Sequence, residues 1–151
     1  MAGGIGNSAG TALFALLFVN TAWANIGNAG GLGASSAAGS FFAELSTGTL
    51  TGASTQSTTE AAYTSYARVA IARSSSGFTA SGTSPETVSN TAATTFPACT
   101  GGSETETYFS VGRDSSSTGM VIAWAPLTAS LAVSNGITPS FAIGALVISV
   151  I

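Results

Sequence analysis

The sequence has no lysine and no histidine. Its only cations are Arg68, Arg73 and Arg113, and its anions are Glu44, Glu60, Glu86, Glu104, Glu106 and Asp114. Charged residues make up 6% of the chain, where about a quarter is usual. Without His or Lys, a serine nucleophile has no base, so neither a Ser-His-Asp nor a Ser-Lys arrangement can be assembled. Three arginines within a net charge of −3 leave no electrostatic footprint for nucleic acid and no polybasic attraction to anionic lipid. Nucleic acid and membrane are therefore not expected as partners. The single cysteine, Cys99, can make no internal disulfide and has no second Cys or His beside which to ligate a metal. It reads as a small buried hydrophobe. No catalytic residue, cofactor or metal site is expected.

The shortage of charge also has a positive meaning. A free monomer keeps a mixed, charged skin and charged sheet edges to stay apart from its copies. This chain has neither, so its exterior is expected to be buried against copies or neighbours. Polarity comes instead from Ser, Thr, Gly and Asn, beside a hydrophobic fraction of 45%. At 151 residues the length suits one domain, burying roughly 70% of its unfolded surface.

Near the start, "TALFALLFVNTAWAN" pairs an apolar block with an A-x-A-like site at Ala22-Trp23-Ala24. Met1 to Gly10 holds no Lys or Arg, which argues against a secretory signal. The block Ala12 to Val19 is also far shorter than the roughly twenty residues that span a bilayer. The spacing predicts a helix over about Ser8 to Trp23, with Ser8 as N-cap and Phe14 and Phe18 beside a Leu13, Leu16, Leu17 face. "NIGNAGGLGASSAAGS" follows as an extended arm, since it cannot bury enough apolar surface to fold alone. Its glycines do not fall as G-x-G-x-x-G after a strand, which excludes a dinucleotide loop. The expected organisation is residues 1–39 as helix and arm and 40–151 as a β-domain.

From Ser40 the hydrophobic period becomes two. "SFFAELS", "YARVAIAR", "AATTFP", "TETYFSVGR", "MVIAWAPL", "SLAVS" and "ALVISVI" read as short strands between Gly, Ser, Asn and Pro turns, with a long polar loop over 47–65. The expected fold class is mainly β, a single β-sandwich or barrel-like domain with one N-terminal helix and a Gly/Ala-rich arm. In "ALVISVI", Leu146, Ile148 and Val150 share one face and Val147, Ser149 and Ile151 the other, the pattern of a central strand covered on both sides, within the subunit or at a subunit boundary. Glu104 and Glu106 lie two apart, on one face of a strand. They could pair or bind a cation, but two neighbouring acids more often form a solvated, pairing-resistant edge. Arg113-Asp114 reads as a turn-anchoring pair, and Arg68 and Arg73 as interface groups or partners for the carboxylates. The candidate interface residues are Phe14, Phe18, Trp23, Phe41, Phe42, Trp124, Ile148 and Val150, with the two tryptophans as large apolar anchors.

Four stretches hold a further likeness: "YARVAI" (Tyr66 to Ile71), "SNTAATTFP" (Ser89 to Pro97), "YFSVGRDSSSTGMVIAWAPLT" (Tyr108 to Thr128) and "VSNGITPSFAIGALVISV" (Val133 to Val150). In order and spacing, over about 85 residues of this sequence, they resemble a family of small virion structural proteins of tailed bacteriophages, often tail-fibre-like. The helix "ALFALLFVNTAW" is similar to that family's N-terminal segment. The sequence departs where the family has L-H-T-A-D-P and here reads "ELSTGTL", and where G-D-T-P reads "GITP". The resemblance implies a non-enzymatic virion component, on the capsid surface or the tail. Its partners would be other virion proteins, the major capsid protein or tail proteins, in a homo-oligomer, a trimer. The arm, able to stitch neighbours together, favours a capsid decoration or cement protein first. The alternative is a tail or tail-fibre component, which could bind a host surface through loop 47–65 and Trp124.

Overall fold

The computed structural model describes residues 5–27, 30–82 and 86–149. In chain order its elements are α1 (Asn7–Phe18), β1 (Ser40–Ser46), β2 (Val69–Ala72), β3 (Phe78–Ser81), β4 (Thr87–Asn90), β5 (Thr94–Thr95), β6 (Ser103–Gly112), β7 (Val121–Ser134), β8 (Ser140–Phe141) and β9 (Val147–Ser149). The protein is mainly β with one helix near the N-terminus, as expected. Among the described residues no sheet closes into a barrel, and no helix is long and apolar enough to cross a membrane. The chain forms two compact units, one from Met1–Gly39, Ala72–Ala93 and Ala142–Ile151, the other from Ser40–Ile71 and Thr94–Phe141.

The first unit sets α1 on β3 and β4, in a sheet of order β3-β4-β9. The N-cap is Gly6, without a side-chain cap, so Ser8 falls inside the first turn. The helix stops at Phe18, five residues short of the expected Trp23. Asn20 turns into the left-handed region at φ 56°, a conformation Asn tolerates better than most residues. Arg73 then supplies donors to the exposed carbonyls, with Nη2 to Leu16 O and Nε to Leu17 O, both at 2.6 Å. A cation at a helix C-terminus also meets the negative end of its dipole. Arg73 thus caps a helix and, among the described residues, pairs with no carboxylate. Phe14 and Phe18 are buried, and Phe18 meets Phe78 edge-on at 5.2 Å.

The last strand is not central within its own subunit, the first of the two placements expected for it. Among the described residues β9 pairs only with β4, at the sheet edge. The alternation is real: Leu146 is buried and Ile148 half-buried opposite the fully buried Val88. Val147, however, is 50% exposed, so one face is uncovered within the unit. Val150 and Ile151 lie outside the described residues.

The second unit is built on a sheet of order β2-β1-β6-β7. β1 and β6 run antiparallel with Leu45 opposite Phe109 and Glu44 opposite Ser110. Odd-numbered residues Ala43, Leu45, Phe109 and Val111 therefore share one apolar face, to which Phe141 adds a ring contact with Phe109 at 5.5 Å. "MVIAWAPL" and "SLAVS" merge into one fourteen-residue strand, β7. It bends where Glu106 pairs Leu131 but Tyr108 pairs Pro126, a bulge that lets the strand absorb extra residues. Pro126 is accommodated because β7 is an edge strand. Beneath the bulge lies an apolar recess of about 200 Å³, bordered by Leu45, Leu127, Leu131, Pro139 and Phe141.

Candidate functional site

The even-numbered face of β1 and β6 carries Glu44, Ser46, Glu106 and Ser110, all with no solvent exposure. What covers it is the 47–65 segment, which is no free polar loop. Leu50, Gln56, Ala61 and Tyr63 are buried, and isolated bridges tie Ser46 to Glu60, Thr55 to Met120 and Thr64 to Gly101.

Arg68 organises one end. Its Nε and Nη2 make a bidentate pair with Glu60, both at 2.7 Å, while Nε stands 3.5 Å from Glu44. The remaining donors reach main-chain oxygens of Asp114 (3.0 Å), Gln56 (2.8 Å) and Ser117 (2.9 Å). A planar fork of five donors suits this task as no lysine could. Gln56 adds a two-way clamp: Nε2 donates to Asp114 O at 3.1 Å and Oε1 accepts from Asp114 N–H at 2.8 Å. The hairpin 113–119 and the 47–65 segment are thereby tied together. Arg113 and Asp114 do form the expected pair, at 2.9 Å, on the surface.

Glu104 organises the other end. Its carboxylate accepts the N–H groups of Ala62 (2.9 Å) and Tyr63 (2.8 Å). Glu106 beside it is wholly buried, and neither of its oxygens has a hydrogen-bond partner among the described residues. Burial, then the neighbouring Glu104, push its pKa from 4.5 up to about 8. Raised this far, the Glu106 carboxyl favours its protonated form at neutral pH, with a proton to offer Glu104. Glu106 is buried and Glu104 is bound to the covering segment, both on an interior strand of the sheet, so the solvated edge expected for them is not what the chain builds. Glu44 is raised to about 7 by burial, against the opposing pull of Ser110 and Arg68. Burial also lifts Tyr63 to about 12, so its phenol stays protonated and donates to Pro97 O at 2.9 Å.

Of the other expected interface residues, Phe14, Phe18 and Phe41 are buried. Trp23 is half-buried in an isolated bridge to Leu32, and Phe42 and Ile148 are half-buried. Trp124 is 40% exposed, its ring edge 3.8 Å from the position a Cβ would take on Gly52. Two residues that sequence reasoning passed over prove central. Gln56 is one. Asn90 is the other, buried and bonded to Ala92 O, Ala142 O and Leu146 N–H. Its signal was the "SN" opening of "SNTAATTFP". Among the described residues, no three His, Cys, Asp or Glu side chains gather as a metal site. The arrangement is one of clamps and covers, with a buried acid, Glu106, beside the half-buried Glu104.

No curated protein matches the sequence. The model of one protein family, Gp80, described as podophage GP4 fiber I protein gp80, matches residues 10–149. This favours the fibre alternative over the capsid decoration role expected first. With nearly its whole length matched, the chain belongs to the podophage GP4 fiber I protein gp80 family and so to the structural proteins of the phage virion.

Proposed function

We propose that the chain is a non-enzymatic subunit of a podophage fibre, self-associating as a trimer and attached to other virion proteins of the tail. Family membership supports the fibre role. The observation that carries the assembly reading is the near absence of surface charge. Of three arginines and six acids, Arg113 alone is exposed, and the half-buried Asp114 pairs with it. Glu44, Glu86 and Glu106 are buried outright. The exterior is left to hydroxyls, amides and apolar groups such as Met120 (57% exposed) and Ile143 (71%). Such a surface carries little electrostatic repulsion between copies. Light scattering on the purified chain is expected to give about three times the 14.7 kDa subunit mass. A single 14.7 kDa species at every concentration, with no affinity for phage particles, would overturn the reading.

A further inference from the structure

We propose that the 47–65 segment is a proton-held cover, seated on the polar face of β1 and β6 while Glu44 and Glu106 are protonated and released when both ionise. Ionisable and hydroxyl groups crowd beneath the segment. Glu44 comes from β1, Glu104, Glu106 and Ser110 from β6, Glu60 and Tyr63 from the segment itself, and Arg68 and Tyr66 from the chain that follows. Arg113 and Asp114 nearby satisfy one another at the surface, and Asp114 offers the cluster only its backbone. Of the four carboxyl groups, Glu60 takes the short contacts of Arg68 and Glu44 stands 3.5 Å from it.

Ionised, the remaining groups are badly placed. Among the described residues neither oxygen of Glu106 has a hydrogen-bond partner, and Glu44, also without one, has Arg68 Nε at 3.5 Å while that group binds Glu60 at 2.7 Å. A buried carboxylate without a partner neutralises or draws in water. While protonated, Glu106 can donate to Glu104, and Glu44 can donate across the ladder to Ser110. Glu104 meanwhile accepts the N–H groups of Ala62 and Tyr63, and the segment is held down. Loss of the protons to solvent sets Glu106 against Glu104 and Glu44 against Glu60. Lifting the segment relieves both by admitting water.

The direction with pH follows from the raised values. Below 4.5 the seated and open forms both hold these protons. Between 4.5 and about 7 for Glu44, or about 8 for Glu106, only the seated form does. The preference for the seated form is therefore complete in acid, shrinks across this window and is gone above it.

Hydrogen exchange on the full chain at pH 5.5 and 8.5, corrected for intrinsic rates, tests the proposal. Protection of the Ala61, Ala62 and Tyr63 amides is expected to fall at least about tenfold at pH 8.5 relative to the β1–β6 ladder. In the Glu44→Gln/Glu106→Gln variant it should change by less than about twofold. Equal protection at both pH values in the parent chain, or an undiminished fall in the variant, overturns it. Should the variant fail to fold, carbon-detected titration of the parent's Glu side chains decides. Two carboxyls titrating well above 4.5 sustain the proposal, and none doing so overturns it.

Discussion

Gly112 and Gly119 sit against the Gln56 side chain so closely that a Cβ on either would overlap it. Neither has a left-handed φ, so their smallness serves space and not backbone freedom. The space lets Gln56 reach Asp114 with both ends of its amide, in a site with no exposure. Gly112→Ala should therefore expel the amide, break both bonds and destabilise the chain by about 2–4 kcal/mol in urea unfolding. In a Gln56→Ala background the same substitution should cost less than about 1 kcal/mol, since the overlap is gone. Equal losses in the two backgrounds would contradict the account. Composition gave no hint of this arrangement, because a glutamine in a hydroxyl-rich loop looks solvated until its cover is known.

Among the elements, β9 shows most clearly what holds a short edge strand. Three pairings to β4 are few, and the strand is fixed by Asn90 at the end of β4. Its amide bonds Ala142 O at 2.9 Å and Leu146 N–H at 2.9 Å, while its own carbonyl accepts Gly144 N–H at 2.9 Å. Asn90→Ala should lose the side-chain bonds and cost about 2–4 kcal/mol. The β4–β9 amides should exchange before those of β3–β4; simultaneous exchange of both pairs would show that Asn90 is no latch. Here the sequence was legible in part. The two-residue period of "ALVISV" correctly gave which side chains share a face. It could not tell a central strand from an edge, because pairing partners come from distant chain. The same limit explains Glu104 and Glu106. Their shared face could be read, but burial beneath 47–65 could not, since no periodicity marks an irregular segment as a lid. The helix end was missed for a local reason: Asn20 and Arg73, not hydrophobicity, close it.

At the scale of the whole molecule, the distribution of charge matters more than its amount. A chain with few ionic groups ordinarily spends them on its skin. Here Arg68 and Glu60 clamp a loop, Arg73 caps a helix, and Glu44, Glu86 and Glu106 are buried. Folding has used the charges internally and left an exterior suited to contact with other protein. The resemblance read from the motifs between Tyr66 and Val150 agrees with the family that matches residues 10–149. The capsid preference drawn from the Gly/Ala arm went further than a flexible segment allows, since such an arm fits many assemblies. The most direct measurement is the position of labelled copies on intact phage particles by electron microscopy. The account predicts label confined to the tail, in a few tens of copies or fewer. Label spread over the shell in the hundreds, or absent from the particle, would contradict it.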